Sequence, residues 1–100
     1  MKINLTGTVQ EFKQIKKFTH KGKTLKKRII NFALNKKENI FVELREKEID
    51  KIAFLNIKEG DEIKIQIQFL GSQKDGKYYN NIVASSIAMP WEKFPGEKNK

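Results

Sequence analysis

The sequence predicts an all-β fold carrying a single helix, and three observations point there. Apolar and polar residues alternate with a period of two along most of the chain, most clearly where Ile63, Ile65, Ile67 and Phe69 interleave with Lys64, Gln66 and Gln68. That period puts the apolar side chains of an extended segment on one face. Two tetrads, His20-Lys21-Gly22-Lys23 and Lys74-Asp75-Gly76-Lys77, interrupt the alternation with residues suited to tight hairpin turns. Helical spacing of apolar residues occurs only between about Glu46 and Leu55.

The first strand is expected from Ile3 to Thr19 as one long segment, with Gly7 marking a bulge or sharp bend. After the first tetrad, Thr24 to Asn35 returns beside it, with Ile30, Phe32 and Leu34 on the core face and Ile29, Asn31 and Ala33 on the other. A short third strand, Asn39 to Leu44, turns Ile40, Val42 and Leu44 inward and leaves Phe41 and Glu43 outward. The helix follows, with Ile49, Ile52, Ala53 and Leu55 at helical spacing as its core side and Asn56 at its end. Ile57-Lys58-Glu59-Gly60-Asp61-Glu62 leads into the fourth strand, and Tyr78 to Met89 forms the fifth, hairpinned to the fourth through Asp75-Gly76. Phe12, Phe32 and Phe69 read as core, and Phe54 as a cap over one end of it. Beyond Met89 come two prolines, a glycine and mixed charge. The chain therefore divides into a folded domain over 1–89 and a C-terminal tail or strapped-down extension over 90–100.

One hundred residues, 38% of them hydrophobic, can build one small core and leave no room for a second domain. Cysteine is absent and His20 is the single histidine, which removes disulfides, thiol nucleophiles and Cys- or His-based metal sites. No apolar run is long enough to span a membrane, and MKINLTGTVQ has no apolar leader, so a cytoplasmic protein without a membrane partner is expected. The formal charge is +9, but Lys, Ile and Asn make up 40 residues, the bias of an AT-rich genome, so total charge says little about partners. Its distribution says more. Ten bases and no acid lie between Phe12 and Lys37, whereas eight acids face four bases between Glu38 and Glu62. One end of the molecule should attract polyanions.

Five strands with a helix between the third and fourth is the order of the OB-fold, a five-stranded Greek-key barrel that commonly binds oligonucleotides. The blocks INLTGTVQEF, IFVELREKEIDKI, IKEGDEIKIQIQF and DGKYYNNIVASSI, spanning Ile3 to about Met89, resemble bacterial single-stranded-DNA-binding proteins and a related family of small OB domains. The resemblance implies a barrel that takes part in DNA replication, repair or recombination, often as a dimer or tetramer. It also implies a departure: such proteins carry an acidic C-terminal tail that recruits partners, whereas the last eleven residues here carry +1, so tail-mediated recruitment is not expected.

A single-strand binder needs cations for phosphates and exposed aromatic faces for unpaired bases. The basic candidates are Lys16, Lys17, Lys21, Lys23, Lys26, Lys27 and Arg28 around the first hairpin, which in an OB barrel borders the binding face. The aromatic candidates are Phe18, Phe41, Tyr78 and Tyr79. The plainer readings are a solvated lysine-rich loop and ordinary core packing, and Trp91 stays open among covering a barrel end, stacking a base and meeting another subunit. Glu43, Glu46, Glu48 and Asp50 read as a solvated strand edge and helix face. No Gly-rich phosphate loop, nucleophile elbow or metal-loop spacing is present, so neither an enzyme nor a cofactor is expected. The expected function is binding of single-stranded DNA, ahead of RNA, with little sequence specificity. The alternative is an OB-like protein-interaction or assembly module without nucleic-acid affinity.

Overall fold

The computed structural model describes residues 2–94, in which the alternating segments become six strands and one helix. These are β1 (Lys2–Phe12), β2 (Lys16–His20), β3 (Lys23–Ala33), β4 (Asn39–Arg45), α1 (Glu46–Phe54), β5 (Glu62–Lys74) and β6 (Lys77–Ala88). Their pairing order is β1-β5-β6-β4-β3-β2, and an additional β1–β3 ladder closes the first five into a ring, leaving β2 paired to β3 outside it. The ring is the five-stranded barrel. Within it β4 meets β6 in parallel at Glu43 and Val83, and every other pairing is antiparallel.

The long first strand is two strands, so the helix falls between the fourth and fifth rather than the third and fourth. The cause is local. Phe12, Ile15 and Phe18 are three residues apart, which no period-2 ladder accommodates. The chain leaves β1 there: the Phe12 amide donates to Glu59 Oε2 at 2.9 Å, and the Lys13 amide to the Ile29 carbonyl at 2.9 Å. Gly7 is not the irregular position either. It pairs in register with Ile63, and the register shift lies between Val9 and Glu11. What Gly7 provides is space, because a Cβ there would overlap the Ala33 carbonyl oxygen and stand 2.9 Å from the Phe32 ring.

Val9, Ile30, Phe32, Val42, Leu44, Ile63, Ile65, Ile67, Ala84 and Ile87 fill the barrel. Ile49 and Ile52 of α1, with Ile57, join the same core. The helix ends as Asn56 predicts: its φ is +54°, its amide donates to the Ala53 carbonyl and that of Ile57 to the Ile52 carbonyl, the two bonds of a Schellman motif. Three expectations for apolar residues fail. Ala53 is exposed and Phe54 is 84% exposed, both on the solvent side of α1. Phe69 is 51% exposed, one position beyond the last described pair of the β1–β5 ladder, Lys2 with Gln68. Past that point β5 and β6 stay paired to the turn.

Both hairpins turn through two residues with positive φ, Lys21-Gly22 (51° and 77°) and Asp75-Gly76 (53° and 77°). This twist matches that of the flanking strands and keeps the ribbons regular to their tips. Of the expected tail over 90–100, residues 95–100 lie outside the described residues. Before them, the Met89 amide donates to Glu92 Oε1 and the Glu92 amide to the Met89 carbonyl, each at 3.0 Å, and Phe94 is buried with Lys64 Nζ 5.2 Å from its ring centroid.

Candidate functional site

Partners directly across an antiparallel ladder point to the same side of the sheet. The β2–β3 register therefore sorts the first hairpin into two rows: Lys16 with Lys27, Phe18 with Leu25 and His20 with Lys23 on one side, Lys17 with Lys26 and Thr19 with Thr24 on the other. Across the ladder the basic candidates divide between the two faces, while Lys16, Lys27 and Arg28 come together with Lys13 along one further hollow.

The first row continues across the sheet, for Lys27 lies opposite Arg45, Ile29 opposite Glu43 and Asn31 opposite Phe41. Two adjoining hollows follow it. One is lined by Phe18, His20, Leu25, Lys27, Glu43, Arg45 and Asn81, and the other by Ile29, Ile40, Phe41, Glu43, Asn80, Asn81 and Ile82. Glu43 and Asn81 belong to both, so together they make one groove over the outer face of β2, β3 and β4 that ends against β6. Phe18 (42% exposed) and Phe41 (54% exposed) present rings along it. Lys27 Nζ stands 5.6 Å from the Phe18 centroid, a cation–π contact that keeps the ammonium beside the groove. Lys21 and Lys23 are exposed at the hairpin tip, and Lys16 is exposed at the opposite end of β2.

The second row serves the fold. The Lys26 amide donates to Glu46 Oε1 at 2.7 Å and its Nζ to Asp50 Oδ1 at 3.0 Å, tying β3 to α1. The hydrogen bond to Asp50 holds the Lys26 ammonium above its ordinary pKa. Arg28 Nε donates to the Lys13 carbonyl at 2.6 Å, and its guanidinium lies 5.0 Å from the Phe12 ring centroid, so it secures the break between β1 and β2. Lys17, across from Lys26, shares that side.

The β5–β6 ladder separates the tyrosines. Tyr79 opposes Ser72 and shares the face of Asn81, whereas Tyr78 opposes Gln73 on the face of Phe69. Both line a shallow hollow with Gly71 and Asn80 farther along the ribbon. Trp91 is 77% exposed.

Three groove residues escaped the sequence reading. His20 and Asn81 sit beside turns, and only the register of β2, β3 and β6 brings them beside Phe18. Glu43 was legible as outward-facing through its alternation with Val42 and Leu44, but not as hemmed in: its side chain is 14% exposed, and Arg45 Nε donates to its Oε2 at 2.9 Å. Glu48 corrects the solvated helix face, since it is buried, and the loss of hydration raises its pKa above the usual carboxylate range. Among the described residues no three His, Cys, Asp or Glu side chains gather in a way that could hold a metal ion, and no helix is long and apolar enough to cross a membrane.

No protein-family model and no curated protein sequence matches this chain. Solved structures do. A mitochondrial single-stranded DNA binding protein from S. cerevisiae, Rim1, superposes with a TM-score of 0.57 at 12% identity, covering 90% of this chain and 95% of its own. A small single-stranded DNA-binding protein from Streptomyces coelicolor gives 0.52 at 10% identity, over 91% of this chain and 94% of its own. With the five-strand ring, the helix whose Ile49 and Ile52 join the core and these superpositions over nearly the whole of both chains, the fold is an OB-fold, similar to that of these two DNA-binding proteins.

Proposed function

We propose that this protein binds single-stranded nucleic acid, DNA ahead of RNA, along the groove over β2, β3 and β4. The observation that carries the reading is the single row containing Lys16, Lys27, Phe18 and Phe41, which sets phosphate-binding ammonium groups beside exposed rings. Bases stack on Phe18 and Phe41, with Tyr79 extending the path along the ribbon. Lys16, Lys21, Lys23 and Lys27 neutralise phosphates. Lysine meets phosphate as a point charge and stacking accepts any base, so no fixed sequence motif is required. The superposed DNA-binding proteins support the same reading, and Lys17, Lys26 and Arg28 take a supporting place behind the groove.

Fluorescence anisotropy with a labelled oligodeoxynucleotide tests it, at low and moderate salt, with duplex and single-stranded RNA of equal length as competitors. Salt-sensitive binding that neither competitor displaces is expected. No binding at low salt, where a +9 chain has every electrostatic advantage, would refute the reading and favour a protein-interaction module.

A further inference from the structure

An acid in the middle of a groove meant for a polyanion needs an explanation. Glu43 sits between Phe41 and Arg45 on the outward face of β4, with Ile29 opposite it on β3 and Val83 beside it on β6. It is the charged residue common to both hollows of the groove. A carboxylate there repels phosphate, so a bound backbone must run along the lysines and turn its bases toward Glu43. The Arg45 bond fixes the carboxylate through Oε2, and among the described residues no hydrogen bond to Oε1 is present. Phe41 is two residues away on the same face, about 6.7 Å along the strand. A base stacked on that ring would lie next to the Glu43 carboxylate.

We propose that Glu43 reads the edge of that base and selects for an amino group. This rests on the single-strand reading above and adds a base preference to it. A carboxylate accepts hydrogen bonds and cannot donate them. Cytosine offers N4–H, and guanine offers N1–H and N2–H side by side, matching Oε1 and the remaining lone pair of Oε2. Thymine offers one N3–H flanked by two carbonyl oxygens, which the carboxylate repels. The apolar neighbours Ile29 and Val83 keep competing water low and sharpen the difference.

The test compares three labelled strands of roughly 12 nucleotides, a length within reach of one OB domain: all thymine, alternating thymine and cytosine, and thymine with isolated guanines. Each is titrated against the wild-type chain and Glu43→Gln. The cytosine and guanine strands are expected to bind the wild type about tenfold more tightly than thymine. In the variant the thymine strand should gain most, bringing the ratio close to one. Loss of one negative charge alone would strengthen all three strands equally, and an unchanged ratio would overturn the proposal, as would equal affinities in the wild type. Failure of all three strands to bind at low salt would refute the underlying single-strand reading instead.

Discussion

A methyl group at Gly7 has nowhere to go, since the Ala33 carbonyl and the Phe32 ring occupy its place and both belong to the packed barrel. Gly7→Ala should cost about 3 kcal/mol and lower the melting temperature by on the order of 10 °C, read by thermal denaturation. Sequence suggested that this glycine was special but assigned the wrong reason, because close approach between β1 and β3 depends on partners distant in the chain. Phe18 and Phe41 make the opposite case. Half-exposed rings add little to stability, so alanine at either should leave the melting temperature nearly unchanged while weakening single-strand binding by about 1–3 kcal/mol, measured by anisotropy. Phe54→Ala, on the solvent side of α1, serves as the control and should change neither. The outward setting of Phe41 was readable from alternation with Ile40 and Val42. That of Phe69 was not, because alternation gives the side of a strand and not whether anything stands behind it.

At the scale of the element, the first hairpin separates charge from position. Lys16→Glu with Lys27→Glu and Lys17→Glu with Lys26→Glu change net charge equally but lie on opposite faces. The first pair should reduce oligonucleotide affinity tenfold or more at low salt with the fold intact. The second should have a much smaller effect on affinity and loosen the β3–α1 tie through Asp50. Equal losses would mean that net charge and not the groove governs binding. In α1, Glu48 is buried and its folded-state pKa lies above that of the unfolded chain, so the folded protein holds its proton more tightly. Its ionisation therefore works against folding at neutral pH, and this penalty fades as pH falls through the raised pKa. Glu48→Gln should raise the melting temperature at pH 7, with the gain vanishing toward pH ~4 where both states are protonated. Hairpins, helix and helix end were all legible from local chemistry. The break at Lys13 has a local trace as well, the three-residue spacing from Phe12 through Ile15 to Phe18, which a continuous strand does not carry.

For the whole molecule, the charge segregation seen along the chain survives folding in altered form: the acid-free segment supplies the groove on one face and structural ties on the other. If Lys16, Lys21, Lys23 and Lys27 each neutralise one phosphate, the logarithm of affinity should fall against the logarithm of salt with a slope of about −3, from about −0.7 per contact on a single strand. A slope above twice that would bring the opposite face into the interface. The barrel was legible because strand order and one helix leave few topologies, whereas the groove depended on registers among β2, β3, β4 and β6 that no local pattern encodes. Both arginines, finally, give their Nε to the protein itself, Arg28 to the Lys13 carbonyl and Arg45 to Glu43. On the proposed reading, the cations facing a strand are, Arg45 apart, ammonium groups on flexible stems that meet phosphate as point charges. A bound strand could advance by one nucleotide without breaking any fixed pair of hydrogen bonds. On that reading the protein would travel along its ligand, pausing where a base meets Glu43, and would yield to an enzyme moving on the same strand.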